Sequence, residues 1–460
     1  MSRTNFGTAV SMSGDGSYIA VGAPRFDFAN SNGVIRVGND SGMVRVLKFT
    51  GSEWVQVGTD INRFPDNVAK EKFGQAVAIS ADGSSVAVGV PFAALVDGFV
   101  DVYKFNGTDW DQQGTAILGT GNFGTSVALS DDGMQVIIGA PDALIDGSNS
   151  GSASVFTFNE TMKQWIPVGD HVATGNTVDD LCGTSVDISG DGKTAAVGAA
   201  GMSEIGKSEG ITRVYQWNDT HWEQKGSDIV GEGDADLSGT SISLSQNATR
   251  IAIGAPYNYN LGGNPLSPRS DFGNVRVFEF TGSDWEQLGD SINGFQAKSL
   301  FGVSVSLSND GCRVAVGAPA TNVTEYQQGS LHVYDLSNET TWLPFAAPIG
   351  GLVQQDQFGH SVSLSGDGMR VGGGALFHDF DGGDLNNDDG QARVFQLSKK
   401  ASCGGGKFHR HVNNYIFCNT PNHYFPFIRY TFRSPFQVFQ WNCFQLPRSV
   451  RYGSNEESWP

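Results

Sequence analysis

Residues 6–24 read FGTAVSMSGDGSYIAVGAP, and six further copies of this stretch follow along the chain. The copies begin at Phe6, Phe73, Phe123, Cys182, Ser238, Phe301 and Phe358. In every copy the first glycine and the glycine of the closing tripeptide are 15 positions apart, whereas consecutive copies start 50 to 67 residues apart. A fixed core with connections of variable length is typical of repeat proteins. The organisation of the chain therefore follows from this stretch.

Each copy predicts a β-hairpin, because small and β-branched residues flank a short turn of the Ser-x-Asp-Gly kind. A third strand follows a variable loop, as in MVRVLKF at 43–49. A fourth strand then carries one tryptophan in six units: Trp54, Trp110, Trp165, Trp222, Trp285 and Trp342. Seven such units predict an all-β fold, a seven-bladed β-propeller with four antiparallel strands in each blade. The seventh unit lacks its tryptophan strand, so either the tail supplies a fourth strand or the last blade is incomplete.

The recurring residues have predicted roles in packing. Glycine permits close approach of inner strands and the unusual backbone angles of turns. We expect the phenylalanine before each first glycine to pack between adjacent blades, with thinner contacts where Cys182 and Ser238 replace it. The tryptophans occupy one position in their outer strands, which favours packing between blades over the alternative of stacking sugars.

Charge limits the classes of partner. The net charge of the 460 residues is −19. Residues 400–460 hold seven basic and two acidic residues, so the remainder carries 22 basic and 46 acidic residues, or −24. A surface this acidic repels phosphate backbones, which argues against nucleic-acid binding. The apolar runs are strand-sized and predict no membrane span. A single ring predicts a monomer.

Two regions differ in character. Residues 1–398 contain the repeats, whereas residues 399–460 form a basic, aromatic-rich tail without repeats. We expect the tail to be poorly ordered or a gene-model artefact. The first repeat begins almost at Met1, so we also expect the gene model to be incomplete, and the missing signal peptide does not decide the compartment.

The Phe-Gly opening and the Gly-Ala-Pro closing together resemble the FG-GAP repeat of integrin α chains and other surface proteins. The resemblance covers residues 1 to about 398, with Phe-Gly intact in five copies and Gly-Ala-Pro in four. It implies a seven-bladed propeller, an extracellular or cell-surface location and ligand recognition through loops. Integrin-type repeats often hold calcium in the hairpin turn. The turns here are too short to surround Ca²⁺, so those sites do not carry over.

One acidic loop is the candidate metal site. Carboxylates at alternate positions around glycines can wrap a calcium ion. The candidate calcium ligands are Asp379, Asp381, Asp384 and Asp388. The alternative interpretation is a solvated acidic loop of the seventh blade.

Seven Asn-x-Ser/Thr sequons occur, which is a weak excess over chance. Four lie in the turn between third and fourth strands and are the candidate glycosylation sites: Asn106, Asn159, Asn218 and Asn338. The alternative is that asparagine serves there as an ordinary turn residue.

Function is expected on the face that carries the long, diverse loops. These candidate ligand-binding loops are Arg25–Asp40, Asp142–Ser150, Tyr257–Asp271 and Phe377–Asp389. No catalytic motif is present, so we expect a non-enzymatic recognition or adhesion module for a protein ligand. The alternatives are a carbohydrate-binding propeller and an accessory domain of a larger surface enzyme.

Overall fold

The computed structural model describes residues 4–27, 40–63, 71–93, 97–203, 208–258, 272–378 and 389–397, together with the backbone of 412–418 and 430–431. Within this part of the chain all regular secondary structure is β-strand. The repeats form seven antiparallel sheets in which the strands pair in chain order. Neighbouring sheets pack side by side, and the first packs against the seventh. The prediction of a seven-bladed β-propeller is confirmed.

Blades are numbered one to seven along the chain, and strands within a blade are called first to fourth from the central channel outward. The first strands are Ala9–Met12, Ala76–Ile79, Ser126–Leu129, Cys182–Ile188, Ser241–Leu244, Ser304–Leu307 and Ser361–Leu364. The second strands are Tyr18–Ala23, Ser85–Val90, Gln135–Ala140, Thr194–Ala199, Arg250–Ala255, Arg313–Ala318 and Arg370–Ala375. The third strands are Met43–Phe49, Phe99–Phe105, Ser152–Asn159, Ile211–Trp217, Asn274–Phe280, Ser330–Ser337 and Gln391–Leu397.

The outer strands are shorter. The fourth strands of blades one to six are Trp54–Gln56, Trp110–Gln112, Gln164–Pro167, Trp222–Gln224, Trp285–Gln287 and Thr341–Pro344. Two-residue strands after them pair with the third strands of blades two to six: Ile117–Leu118, Ala173–Thr174, Ile229–Val230, Ile292–Asn293 and Ile349–Gly350. The fourth strand of blade seven is Val412–Cys418, which pairs along its length with Gln391–Leu397, and Tyr430–Thr431 pairs with it in turn. Of the two alternatives for blade seven, the tail supplies the strand.

The hairpin turns between first and second strands are closed by their own side chains. In blade one, Ser13 Oγ donates to Asp15 Oδ1 at 2.8 Å, and Asp15 also accepts from the Ser17 N–H. The Tyr18 N–H donates to Ser13 Oγ, and Gly16 takes a φ of +67° that suits glycine. The same serine-to-carboxylate bond recurs at Ser80–Asp82, Ser130–Asp132, Ser189–Asp191, Ser308–Asp310 and Ser365–Asp367, with Ser245–Asn247 in blade five.

These turn carboxylates are engaged within their own turns. Partial burial acts to raise the pKa of Asp15 and Asp82, but hydrogen bonds from serine hydroxyls and a backbone N–H outweigh it and hold both pKa values below the usual one. The pKa of Asp191 is lowered in the same way. The recurring Asp-Gly pairs therefore close the hairpins, as the turn interpretation predicts.

Pairs of glycines bring adjacent blades into backbone contact. A Cβ added to Gly22 of blade one would lie within 3.0 Å of the carbonyl oxygen of Gly74 in blade two, closer than real Cβ atoms come. Gly74 itself has a φ of +90°. Seven such pairs surround the channel: Gly22–Gly74, Gly89–Gly124, Gly139–Gly183, Gly198–Gly239, Gly254–Gly302, Gly317–Gly359 and Gly374–Gly7. The last pair closes the ring with the geometry of the other six.

The phenylalanine of each repeat packs between blades, as predicted. Phe73 belongs to a core cluster with Val44 of blade one and Val88 of blade two, and its N–H donates to the Ser41 carbonyl across the interface at 3.1 Å. Phe6, Phe301 and Phe358 are also fully buried.

Blade five has a serine at this position, and an arginine lies beside it. Ser238 is fully buried, and Arg276 places its Nη2 3.4 Å from Ser238 Oγ and 2.7 Å from the Val230 carbonyl oxygen. The Arg276 guanidinium lies over the Phe278 ring, 5.1 Å from its centroid. An arginine stem can cover apolar surface while its head makes hydrogen bonds. Arg276 therefore fills the place beside the small residue.

The hairpin turns that follow the first strands are joined from blade to blade by backbone hydrogen bonds at one end of the channel. The Gly14 N–H donates to the Ala81 carbonyl, and the Ala81 N–H donates to that of Asp131. In the same way, the backbone N–H of one turn donates to the carbonyl of the next in the pairs Asp131–Gly190, Gly190–Gln246, Gln246–Asn309 and Asn309–Gly366. Serine hydroxyls add bonds between blades, since Ser243 Oγ accepts from the Leu307 N–H at 3.0 Å.

Asp187 takes the place of this serine in blade four. Its Oδ2 accepts from the Leu244 N–H of blade five at 2.6 Å, and its Oδ1 accepts from the Ile188 N–H. Burial raises the pKa of Asp187 to about 6, although both backbone hydrogen bonds act to lower it. Ionisation of this carboxyl therefore opposes folding.

The glycine contacts predict a severe effect of one added methyl group. We expect Gly317→Ala to lower the free energy of unfolding by more than about 3 kcal/mol, because the new Cβ meets the Gly359 carbonyl. Gly282→Ala is the control, since it has a φ of +101° but open space around the new atom, and it should cost only about 1–2 kcal/mol. Urea denaturation measures both, and equal losses would contradict the close-contact role.

Asp187 predicts a pH dependence of stability. Its pKa of about 6 in the folded chain exceeds the ordinary aspartate value of 3.8, so the folded state holds the proton more tightly and stability falls as pH rises between those values. A serine can still accept from the Leu244 N–H, as Ser243 does for Leu307. We expect Asp187→Ser to raise the free energy of unfolding at pH 7 by about 1–2 kcal/mol and to have little effect near pH 4. Urea titrations across this pH range would refute the assignment if both chains kept parallel profiles.

Candidate functional site

Two kinds of loop meet on one face of the ring, which is called the loop face. The 2–3 loops join second to third strands, and the 4–1 loops join consecutive blades. Asn258 in a 2–3 loop donates its Nδ2 to Asp236 Oδ2 in a 4–1 loop at 2.7 Å. In blade seven, His378 of the 2–3 loop places its Nδ1 2.9 Å from Asp356 Oδ1 of the 4–1 loop. The structure thus joins both loop types into one surface.

A hydrogen bond closes the base of the 2–3 loop in six blades. In blade one the Gly42 N–H donates to the Phe26 carbonyl, so the chain enters and leaves the loop at one point. The equivalent pairs are Gly151–Ala143, Gly210–Met202, Gly273–Asn258, Gly329–Thr321 and Gly390–His378. Loops of different length and sequence can therefore stand on the same base without disturbing the blade.

The predicted binding loops are described to different extents. Asp142–Ser150 is fully described, and its Leu144–Ile145 and Ser148–Asn149 segments pair as a small hairpin. Of the other three loops, both ends of Arg25–Asp40 and Phe377–Asp389 but only the start of Tyr257–Asp271 are described. The candidate calcium ligands Asp379, Asp381, Asp384 and Asp388 lie outside the described residues. Among the residues that are described, no group of three or more His, Cys, Asp or Glu side chains is placed to hold a metal. Calcium binding stays a prediction.

The four candidate glycosylation sites lie in turns on the face opposite the loop face. Asn106, Asn218 and Asn338 are exposed, and Asn159 is half-buried. In three of them the side-chain oxygen also closes the turn: Asn106 Oδ1 accepts from the Thr108 and Asp109 N–H groups, and Asn159 and Asn218 do the same. A turn role alone can thus explain asparagine there, and glycosylation stays a prediction.

The tryptophans join blades through both ring and N–H. The Trp285 indole N–H donates to the Lys225 carbonyl of the preceding blade at 2.7 Å, and its ring packs on Phe280 with 5.2 Å between centroids. The same bond to the preceding blade is made by Trp110, Trp165, Trp222 and Trp342. These contacts support the packing interpretation over sugar stacking.

Exposed apolar side chains are concentrated on the loop face. Twelve large apolar side chains among the described residues are exposed, and eight belong to this face: Phe92, Leu144, Val178, Tyr257, Phe295, Val323, Tyr326 and Leu352. Clusters of exposed apolar groups mark surfaces that meet a partner. We therefore take this face as the candidate functional site.

Sequence reasoning did not identify these individual residues. The sequence does contain a weak signal, which appears when one position is compared between 4–1 loops. In the loops before blades four to seven, a glycine is followed by Asn176, Glu232, Phe295 and Leu352, respectively. A phenylalanine and a leucine in an otherwise polar loop position indicate a role other than folding.

A buried polar layer supports the loop face in blade five. Burial raises the pKa of Asp236 to about 6, with the Glu232 charge acting in the same direction and hydrogen bonds from Gly233 and Asn258 opposing it. Asn274 Nδ2 donates to Glu232 Oε2 at 2.8 Å. These side chains fix the 4–1 loop to the base of the 2–3 loop.

Blade seven carries a related arrangement with different residues. The Asp356 and His378 side chains are both buried, and Arg393 lies nearby with its Nη1 bonded to the Gly350 carbonyl at 2.7 Å. Burial lowers the pKa of Arg393 to about 10, against the influence of Asp356. Histidine here occupies the position of Asn258 in blade five.

The equivalence of these positions predicts which substitution is tolerated. His378→Leu removes the partner of Asp356 Oδ1, whereas Oδ2 keeps its bonds from the Leu352 and Val353 N–H groups, and it should lower the free energy of unfolding by about 2 kcal/mol. His378→Asn should cost less than about half as much, because Asn258 donates to Asp236 at the same place. Thermal or urea denaturation of the two variants tests this, and similar losses would argue against the bond as the cause.

Comparison with known proteins agrees with this architecture. The profile of the FG-GAP repeat matches residues 119–156. No curated protein matches the sequence. The structure of U3-55K is similar with a TM-score of 0.52 and 12% identity, covering 86% of this chain and 97% of that one. A candidate 6-phosphogluconolactonase from Bacteroides uniformis is similar with a TM-score of 0.50 and 12% identity, covering 75% and 85%.

At these identities the likeness concerns the fold alone. Among the described residues, no helix is long and apolar enough to cross a membrane. The family match lies on the third copy of a motif that recurs seven times, and each copy builds one blade. The chain is a seven-bladed β-propeller built from seven copies of one motif, and the third copy matches the FG-GAP repeat.

Proposed function

We propose that this chain is a non-enzymatic recognition module that binds a protein ligand through the loop face, outside the cell or at its surface. The observation that carries the proposal is the concentration of exposed apolar side chains on that face, above closed loop bases. Aromatic and aliphatic groups on a rigid support are typical of protein interfaces. The match to the FG-GAP repeat supports the same proposal, because the resemblance implies ligand recognition through loops.

Two features support an extracellular setting. The four candidate sequons lie on the face opposite the loop face, so glycans there would leave the binding surface open. Cys312 is disulfide-bonded, and disulfides persist in oxidising compartments. The acidic repeat region would favour neutral or basic partners over nucleic acid.

The engagement of two buried carboxyl groups of the loop face supports the proposal that the chain is not an enzyme. Asp236 and Asp356 hold loops together rather than facing an open cleft. A catalytic role needs a group within reach of a substrate. Carbohydrate binding is the second candidate, and Phe295 and Tyr326 are among the exposed aromatic rings of the loop face that could stack a sugar.

Glycans placed by mutation test which face binds. Ala297→Asn creates a sequon with Ser299 on the loop face, and Thr281→Asn creates one with Ser283 on the opposite face, matching the native Asn106 turn. Both positions are exposed. Expressed in a glycosylating host, each variant is applied to arrays of extracellular protein domains and of glycans.

We expect binding to protein spots that falls by at least about tenfold for glycosylated Ala297→Asn and not for Thr281→Asn, because a bulky glycan excludes a partner from its face. Enzymatic removal of the glycan should restore binding. Retention by glycosylated Ala297→Asn, or loss with Thr281→Asn alone, would reject the loop face. Binding to glycan spots only would favour the carbohydrate alternative.

A further inference from the structure

Four exposed apolar side chains lie on three loops around blade six, and together they are called the blade-six patch. Phe295 belongs to the 4–1 loop before blade six, Val323 and Tyr326 to its 2–3 loop, and Leu352 to the 4–1 loop after it. Their exposed fractions are 58%, 44%, 54% and 45%. Half-exposed side chains of this size, brought together by loops of separate blades, form a surface that water solvates poorly.

Hydrogen bonds between the loops hold the patch in place. The Asn322 N–H donates to Gln296 Oε1 at 2.8 Å and joins the first loop to the second. The Gln355 N–H donates to the Tyr326 carbonyl at 3.0 Å and joins the second to the third. The buried Gln328 side chain bonds to the Gly351 carbonyl at 2.7 Å. A surface fixed in this way loses little conformational entropy when a partner binds.

The support beneath Phe295 is aromatic and uncharged near neutral pH. The Phe295 ring centroid is 5.3 Å from that of His332, which in turn packs edge-on against Phe301. Burial lowers the pKa of His332 to about 4, so its imidazole is neutral at physiological pH. His332 therefore adds no positive charge beneath the patch at physiological pH.

Acidic side chains are exposed on the loop face around the patch. Glu325 is exposed beside Tyr326, and Glu232 is exposed on the 4–1 loop before blade five. Lys298 is an exposed cation on the Phe295 loop. The repeat region as a whole carries a charge of −24, which attracts cations over distances beyond direct contact.

We propose that the blade-six patch docks a basic segment of a protein partner, with an apolar side chain seated on Phe295 and Tyr326 and flanking Lys or Arg side chains facing the acidic surroundings. This inference rests on the proposed function, because it assigns one sector of the loop face to the partner. The apolar anchor supplies most of the affinity, while the flanking charges select the partner and speed association.

Synthetic peptides provide the probe. Each has a central Phe, Tyr, Leu or Trp flanked by Lys and Arg, by Ser and Gln, or by Asp and Glu, and binding to the purified full chain is measured by biolayer interferometry. The test variant is F295A/Y326A. One control, L144A/V178A, removes exposed apolar groups elsewhere on the loop face, and the other, M162A/L343A, removes groups from a 3–4 turn and a fourth strand, outside that face. All six positions are exposed, and thermal denaturation confirms that each variant folds.

We expect the wild type to bind the basic-flanked peptides at least about tenfold more tightly than the acidic ones, and F295A/Y326A to lose about tenfold or more of that affinity. Both controls should bind as the wild type does, and added salt should weaken binding. Equal binding of basic and acidic peptides, an unaffected F295A/Y326A variant, or binding of glycans in place of peptides would overturn the inference. Loss in L144A/V178A alone would overturn it while leaving the loop-face function standing, whereas loss in M162A/L343A alone would contradict both.

Discussion

The contact between two glycines at each blade junction is the constraint from which the ring follows. The second-strand glycine of one blade meets the carbonyl of the Phe-Gly glycine in the next, and a Cβ there would collide with the backbone. The Phe-Gly glycine has a φ near +90°, which turns its carbonyl toward the neighbouring blade. Because this junction is made seven times, the close approach of the two glycine backbones sets the distance between blades all around the channel. Small residues line the channel because larger ones would hold the inner strands apart.

Above that inner layer, packing tolerates substitution wherever a neighbour compensates. Ser238 replaces phenylalanine beside Arg276, which covers the interface with its stem and bonds to the Val230 carbonyl. At the loop bases, Asn258 with Asp236 and His378 with Asp356 hold different side chains in one arrangement. At the loop bases the aspartate is kept while its partner changes from asparagine to histidine, and the bond between them remains. The loop surface can vary because the layer below it keeps its geometry.

The sequence predicted the features that repeat. The hairpin turns, the phenylalanine between blades and the tryptophan at the outer interface follow from one pattern read seven times. It could not predict that the Trp285 indole N–H bonds to the Lys225 carbonyl, because every residue has a backbone carbonyl and the sequence does not show which one accepts. Nor could it identify the blade-six patch, since Phe295 and Leu352 are 57 positions apart and meet only because blades five to seven are neighbours. Repetition reveals the scaffold, whereas a binding site consists of the departures from it.

The two faces of the ring therefore differ in which side chains are bonded within the chain and which are exposed. On the face with the hairpin turns, side chains such as Asp15 and Asn106 bond to their own backbone, so few polar groups remain for a partner. On the loop face, hydrogen bonds between loops pair backbone groups with each other or with side chains, and apolar side chains are exposed. Leaving Phe295 and Tyr326 in water costs stability without helping the ring close. That cost is offset only when another surface covers them, which argues that recognition rather than folding accounts for these two residues.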